Sequence, residues 1–470
     1  MKEELVYFIG IGGIGMANLA RYYMSRGATV AGYDRTPSEL TDALEAEGAS
    51  ITFDDDPNNI PNIMRNPANT LVVFTPAVPK SNRIFTYFLE HGFEPIKRSE
   101  LLGRITRHSK GICVAGSHGK TTTCSMIAHI LHSGHVGCNA FLGGILRNNN
   151  SNLLLSEGTE YSVIEADEYD RSFHRLSPYI AIVTSTDPDH LDIYGDENGY
   201  LEGFAHFTSL IVKGGYLLLH TGLKLKPRTD TNVKTLTYSA TDQSADFHAE
   251  NIRHTPGHLY FDFIGPDSLA IRNIEMGVPV EINIDNAVAA IAASLLAGAS
   301  ADECAEGTRT FMGAKRRFEI WLRPEDYPSG NGPVLIDDYA HSPAEVKASI
   351  RSVKALYPDK KVSVVFQPHL YTRTRDFASE FAASLSEADE TVLCEIYPAR
   401  ELPIPGITSA IIEKEVKSPE KSLISRKDLL NLVKNRNFDI LMTLGAADIN
   451  VLLPDIKQLL LDKDNAAKAI

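Results

Sequence analysis

The sequence predicts an α/β protein of three successive domains, and three observations carry that prediction. Short apolar runs ending in glycine turns or polar clusters recur along most of the chain, the pattern of strands buried on both faces of a sheet. A length of 470 residues is that of about three domains. Two glycine turns, one near the N-terminus and one after residue 115, each lie between a strand-like run and a helix-like run.

The first domain opens with Leu5 to Arg35, which reads as strand, glycine turn, helix and second strand. Gly10, Gly12 and Gly15 give the spacing GxGxxG, with Gly13 and Met16 inside the same turn. Such a turn lets a ligand phosphate approach the backbone at a helix N-terminus, as in a Rossmann-like unit. Asp34 ends the second strand, where a ribose-binding carboxylate often sits. This fingerprint specifies a turn suited to a diphosphate and not a particular cofactor, so NAD(P) is one reading among several. Thr70 to Thr75 predict a third buried strand, followed by the turn from Pro76 to Pro79. From Arg98 to Arg107 the pattern breaks into a short basic linker, which ends the first domain, residues 1–107.

The second domain, residues 108–313, is arranged around Gly111 to Met126. Ile112 to Ala115 read as a buried strand. The chain then turns at Gly116, Ser117, His118 and Gly119, and helix periodicity starts near Thr122, with Met126, Ile127 and Ile130 on one face. Loop N–H groups and the positive end of the helix dipole form a seat for phosphate. Lys120 adds a full charge for the outer phosphates, and the Thr121 hydroxyl is a ligand for Mg2+. The spacing is GxxGKT, shorter than GxxxxGK[ST], but the flanking elements are those of a P-loop.

A polar loop follows at Asn148 to Asn152. The strand from Tyr161 then runs into Glu165, Asp167, Glu168 and Asp170. A second strand, Ile180 to Thr184, ends at Asp187, Asp189, His190 and Asp192. Both clusters follow strand ends, where α/β sheets place their ligands. Glu165 and His190 are the candidate metal ligands beside nucleotide phosphates, with Asp167, Asp170 and Asp192 as caps or outer groups. Residues 212–274 break into short β-like runs and predict an antiparallel insertion. The Ala-rich segment after Ile282 predicts a helix whose first turn carries Asn283 and Asn286, placed either to read an adenine edge or to cap the helix.

A basic hinge from Phe311 to Phe318, with Arg316 and Arg317, leads into the third domain, residues 314–470. Strands beginning at Val334 and Val362 end in Asp337, Tyr339 and His341, and in His369, Arg373 and Arg375. Two more end at the Glu395 to Glu401 cluster, which includes Arg400, and at Leu444. Four such strand ends predict a second Rossmann-like unit with an edge rich in Arg and His. Lys463 to Ile470 read as a frayed end.

A net charge of −14 argues against a nucleic-acid partner, because phosphate backbones are met by clustered Lys and Arg. No apolar run approaches the roughly 20 residues of a membrane-spanning helix, and the first strand starts too early for a signal peptide. Five scattered cysteines without CxxC spacing fit a reducing cytoplasm, inert thiols and no structural zinc.

In order and spacing, GIGGIGM, AGSHGKTTT, EADEYDRSF, DPDHLDIYGD, FMGAKRRFE, DDYAHSP, QPHLYTRTRDF and YPARELPIPGITS resemble the Mur ligases of peptidoglycan synthesis over essentially the whole chain. The resemblance implies a UDP-binding N-terminal domain, a central ATPase domain and a C-terminal domain that closes on the site. It implies ATP- and Mg2+-dependent ligation of L-alanine to UDP-N-acetylmuramate through an acyl phosphate, by a cytoplasmic monomer or homodimer without nucleic-acid or membrane partners.

By the same resemblance Gly116, Ser117, His118, Gly119, Lys120, Thr121 and Thr122 hold ATP, with Asn283, Asn286, Arg316, Arg317 and Asp337 on its nucleotide. Thr121, Glu165 and His190 hold the metal. Gly10, Gly12, Gly13, Gly15, Met16, Asp34, Tyr339, His369, Arg373 and Arg375 face the UDP-sugar, and Lys120, His190, His341 and Arg373 form the catalytic set. Ala205 stands where other branches carry a carbamoylated lysine, which implies no such modification here. The alternatives are a tripeptide ligase of cell-wall recycling, an NAD(P)-dependent oxidoreductase and a non-catalytic nucleotide-binding regulator.

Overall fold

The computed structural model describes residues 5–399 and 401–468, so Arg400 lies outside the described residues. The chain divides into two compact units. The first runs up to Ala249 and adds Phe263–Ala270 and Asp285–Gly307; the second takes Glu250–Asp262, Ile271–Ile284 and the chain from Thr308 on.

Two sheets lie in the first unit. β1 (Leu5–Ile9), β2 (Thr29–Tyr33), β3 (Ser50–Thr52), β4 (Thr70–Phe74) and β5 (Ile96–Lys97) form a sheet of order β3-β2-β1-β4-β5, all parallel. The strand order reverses at β1, so the glycine turn after Ile9 sits at the switch point where open α/β sheets hold ligands. Short β3 escaped the sequence reading, which makes the strand at Thr70 the fourth. The basic linker is corrected too: Arg98–Arg107 is a helix. Leu101 and Ile105, four apart, are buried, and Glu100 accepts the Lys97 N–H at 3.0 Å to cap its start. The positive residues Arg104 and Arg107 occupy its last turn, where they suit the dipole.

The central sheet contains β6 (Lys110–Ala115), β7 (Asn139–Leu146), β8 (Ser151–Leu154), β9 (Tyr161–Glu165), β10 (Pro178–Val183), β11 (Tyr216–His220) and β12 (Lys234–Ser239), in order β12-β11-β10-β6-β9-β7-β8. β6 runs parallel to both neighbours, β9 and β10, so the phosphate loop and both acidic strand ends share one edge. The expected polar loop is partly a hairpin: Ser151 and Asn152 begin β8, which pairs antiparallel with β7. β11 and β12 are parallel continuations of the sheet, which corrects the antiparallel insertion expected from residue 212. Back-and-forth chain order begins only with β13 (Phe247–Thr255), β14 (His258–Ile264) and β15 (Ala270–Glu275), joined by short turns. One apolar cluster joins the two sheets of this unit, with Val6, Phe8, Leu101 and Ile105 packed together with Cys113, Phe141, Ile164 and Phe173.

In the second unit, β16 (Glu319–Leu322), β17 (Val334–Asp338), β18 (Val362–Phe366), β19 (Glu390–Leu393), β20 (Glu420–Leu423) and β21 (Ile440–Leu444) form a sheet of order β16-β17-β21-β18-β19-β20. Only the edge strand β16 is antiparallel among its recorded pairs. The C-terminal end is not frayed at Lys463: a helix spans Leu453–Lys468. Ile456 and Leu460 are buried, and the Lys463 ammonium donates to the carbonyls of Val433, at 3.2 Å, and Arg436. All five cysteines are buried, as expected, and burial pushes their thiols above the ordinary range. Among the described residues no helix is long and apolar enough to cross a membrane.

Candidate functional site

β6 delivers the phosphate loop, and its helix spans Lys120–Ser133, two residues earlier than the periodicity suggests. Gly119 is the reason. It caps the helix in the left-handed region at φ 80°, and a Cβ there would stand 2.7 Å from Asn286 Oδ1. The loop is tied to the end of β10. His118 N–H donates to Ser185 Oγ at 2.7 Å, and the Ser117 hydroxyl donates to the Asp187 carbonyl at 2.6 Å.

Lys120 curls back over this loop. Its ammonium lies 2.9 Å from Glu168, in a pair almost wholly out of solvent, and donates to the Gly116 carbonyl. Sequence reasoning missed Glu168. The only signal was its place three residues after Glu165, in a cluster whose metal role went to Glu165.

Thr121 and Glu165 are brought together: the hydroxyl donates to Oε1 at 3.0 Å, while Gly143 N–H donates to Oε2 at 3.1 Å. Burial pushes the Glu165 carboxyl above its usual range, and the Thr121 bond and the Lys120 charge oppose that rise. A carboxylate in that condition gains from a nearby cation. Asp167 accepts the Tyr169 N–H at 3.0 Å, as a cap does, and Asp170 pairs with Lys97 at 3.5 Å. The Asp192 side chain lies outside the described residues. His190 is placed differently: its Nε2 lies 3.7 Å from Asp189 and its ring meets Tyr169 edge-on. Among the described residues, no three His, Cys, Asp or Glu side chains gather as a ready-made metal cluster.

Asn286 accepts the Thr123 hydroxyl at 3.1 Å, against the first turn of the phosphate-loop helix, where Thr122 also lies. Asn283 is buried and opens the Asn283–Leu296 helix.

The N-terminal glycine turn lines a cavity of about 800 Å³, with Gly10, Gly12, Gly13, Gly15, Met16 and Asp34 all on its wall. Gly12 N–H donates to Asp34 Oδ2 at 2.7 Å, so backbone already engages this carboxylate. Arg98, read from sequence as linker, is a cation of this wall, as is Arg35. The Arg98 guanidinium occupies the space a side chain at Gly15 would need, with Nη1 2.4 Å from where that Cβ would stand. A smaller cavity of about 130 Å³ shares Gly15 and Arg98 and reaches Gly143, Glu165 and Asp167. The two cavities thus adjoin at Gly15 and Arg98, and the smaller one is lined by Glu165, the carboxylate that holds Thr121.

Within the second unit, Arg316 Nε lies 3.1 Å from Asp337, and its guanidinium donates to the carbonyls of Ala447 and Gly445. Asp337 is fully buried and also accepts the Thr443 hydroxyl at 2.7 Å, so it holds Arg316 in place. Arg316 and Arg317 both lie over the Tyr339 ring. His341 sits 3.3 Å from Glu345 and edge-on to Tyr339. Burial lowers the His341 pKa, Glu345 opposes that, and the charges of Arg373 and Arg317 add to the lowering. His369 stacks on Tyr397, whereas Arg375 is exposed and pairs with its neighbour Asp376 at 2.7 Å. Arg316, Arg317 and His341 are thus gathered round Tyr339; Arg375 points to its own acid.

Two phosphate-type turns in one unit suit work on two phosphorylated ligands, which sets the class: a multidomain α/β nucleotide-binding protein. Comparison with known proteins gives the family. Residues 5–110 match the model described as the Mur ligase family catalytic domain, residues 114–294 the Mur ligase middle domain, and residues 316–446 the Mur ligase glutamate ligase domain. The chain belongs to the Mur ligase family. It is 53% identical to a UDP-N-acetylmuramate–L-alanine ligase of Phocaeicola vulgatus, over 97% of this chain and 98% of that protein. A UDP-N-acetylmuramate–L-alanine ligase of Parabacteroides distasonis is 52% identical, over 98% of both chains. Among solved structures, a UDP-N-acetylmuramate–alanine ligase from Thermotoga maritima superposes with a TM-score of 0.74 at 25% identity, covering 98% of this chain and 99% of that one.

Proposed function

We propose that this chain joins L-alanine to UDP-N-acetylmuramate, driven by ATP, in peptidoglycan precursor synthesis in the cytoplasm. The observation that carries this reading is a pair of cavities that share Gly15 and Arg98, one lined by the N-terminal glycine turn and the other by Glu165, which holds Thr121 of the Lys120 loop. A UDP-sugar seated on the glycine turn directs its lactyl carboxylate past Arg98 and Glu165 toward the outer phosphate of ATP. The nearly full-length likeness to two alanine ligases supports the amino acid. The domains assigned are residues 1–107 for UDP, 108–313 for ATP and 314–470 for closure.

The carboxylate oxygen attacks the γ-phosphorus and ADP leaves, giving an acyl phosphate. The alanine amine then adds to the acyl carbon, and inorganic phosphate leaves as the amide forms. Donor and acceptor are both anionic, so positive charge must offset their repulsion. Lys120 leaves Glu168 for the phosphates, the loop N–H groups bind the same oxygens, and Arg98 steadies the sugar nucleotide's charge. Thr121 and Glu165 fit Mg2+, which takes one or two carboxylates together with substrate phosphate oxygens and so needs no cluster of three acidic or imidazole groups. Bound there, with His190 as a further donor, Mg2+ supplies charge neutralisation of the transferring phosphate. Of the C-terminal residues assigned to these ligands, Arg316, Arg317 and Arg373 carry the positive charge, while burial keeps His341 neutral.

Phosphate release is measured with ATP, Mg2+ and UDP-N-acetylmuramate, adding single amino acids or the cell-wall tripeptide in turn. Release that requires L-alanine is expected. Release that requires tripeptide, or none with any acceptor, overturns the assignment.

A further inference from the structure

The helix that carries Asn286 is fastened at its first turn by a neighbour with no part in the chemistry above. Asp285 accepts the Ala240 N–H at 2.6 Å and lies 3.1 Å from His220 Nε2. His220 is the last residue of β11, and Ala240 directly follows β12. Asp285 therefore clips the helix to the C-terminal ends of two adjacent parallel strands, the edge where this sheet presents its ligands. One residue on, Asn286 meets Thr123 and fills the space over Gly119. A continuous chain of contacts thus runs from His220 through Asp285 and Asn286 to the phosphate loop.

Both imidazole nitrogens of His220 face oxygens: Nδ1 lies 2.7 Å from the Thr221 carbonyl, and Nε2 faces Asp285. Two acceptors need two N–H donors, and only the protonated ring has both. We propose that His220 and Asp285 are a positioning pair that sets Asn286 against the phosphate loop and thereby tunes affinity for ATP. This rests on the reading of that loop as the ATP site.

The pair also makes affinity depend on pH. Bonding to Asp285 raises the His220 pKa above its ordinary 6.5, more than burial lowers it. The titratable groups against His220 are Asp285 and Tyr238, whose ring meets it edge-on. Tyr238 is fully buried and its hydroxyl is pushed well above the usual range, so it stays neutral. With the folded value raised, the clip is intact below 6.5 and is lost as pH climbs through the folded pKa. One nitrogen then turns a lone pair toward an oxygen and the hold on Asp285 weakens.

The test is calorimetric titration of ATP with Mg2+ between pH 6 and 8.5, alongside steady-state kinetics, for the wild type, His220→Gln and Asp285→Asn. Wild-type ATP affinity should fall about five-fold across this range relative to His220→Gln, which keeps one donor and has no proton to lose. Using the ratio of the two removes the titration of ATP itself. KM for ATP should rise about five-fold at pH 6.5 in both variants, with kcat and KM for the sugar nucleotide within two-fold of wild type. A His220→Gln profile parallel to wild type overturns the proposal, as does a loss of kcat without change in KM for ATP. Lys120→Ala separates this failure from that of the underlying reading. If the wild type binds ATP and Lys120→Ala does not, while His220→Gln matches wild type, only the positioning role falls. If Lys120→Ala binds ATP as wild type does, the loop assignment falls and the positioning role with it.

Discussion

Gly143→Ala perturbs the Glu165 carboxylate without altering any residue assigned to chemistry. A Cβ at Gly143 would stand 2.3 Å from Glu165 Oε2, 2.8 Å from Cδ and 2.9 Å from Oε1, whereas ordinary contact begins near 3.4 Å. The carboxylate must therefore withdraw by about 1 Å, away from Thr121. Gly143 is not among the residues with positive φ, so alanine meets no left-handed strain and the perturbation is that displacement alone. Losing the bonds to Thr121 and to the Gly143 N–H costs about 1–2 kcal/mol of stability, leaving the protein folded. A misplacement of about 1 Å at a reacting centre lowers kcat/KM about 100-fold, and a disturbed ligand weakens metal binding by about 10- to 100-fold. The assay is phosphate release across a Mg2+ titration, run beside Glu165→Gln and the double variant. The Mg2+ concentration for half-maximal rate should rise at least ten-fold in Gly143→Ala, and the double variant should be little worse than Glu165→Gln alone. An unchanged Mg2+ requirement in a folded Gly143→Ala protein would refute the assignment of Glu165 to the metal.

Lys120→Ala should lower turnover by about 1,000-fold or more and, by leaving Glu168 buried without its counter-charge, cost about 3 kcal/mol in urea unfolding. Wild-type ligation by this variant contradicts the loop assignment. Arg373→Ala should raise KM for the UDP-sugar or lower kcat at least ten-fold while direct ATP binding changes less than two-fold; unchanged sugar kinetics removes Arg373 from the site. Burial holds the Asp338 carboxyl up to about 6 from 3.8, so the native state takes up a proton that the unfolded chain releases. Stability from this group is present below about 4 and falls as pH rises to about 6, by on the order of 3 kcal/mol. Urea unfolding of Asp338→Asn should lack that part of the slope, and a constant offset from wild type at every pH would contradict it.

What the sequence makes legible follows from how local each signal is. The Lys120 loop, the Asp34 turn and the Glu165 strand end are written in contiguous residues whose spacing dictates geometry, and each is found where that spacing puts it. Glu168 was invisible because its role depends on a lysine 48 residues away folding back on it. Arg98 was misread for a related reason. Three arginines within ten residues look like a linker until Leu101 and Ile105 are seen buried and Gly15 is seen to leave room for the guanidinium. The direction of β11 and β12 was likewise hidden, since a short apolar strand with one polar flank reads alike in parallel and antiparallel pairing. Asp337 shows the opposite limit: its strand-end position is as expected, but its full burial against Arg316 and Thr443 depends on chain distant in sequence.

The account depends on the sugar carboxylate meeting the outer phosphate at the Lys120 loop, and isotope transfer tests this most directly. UDP-N-acetylmuramate labelled with 18O in its lactyl carboxylate is turned over with ATP, Mg2+ and L-alanine, and the released phosphate is weighed by mass spectrometry. An acyl phosphate formed at that loop carries one labelled oxygen per turnover into the phosphate. Unlabelled phosphate, with all the label retained in the sugar product or lost to water, would contradict the account.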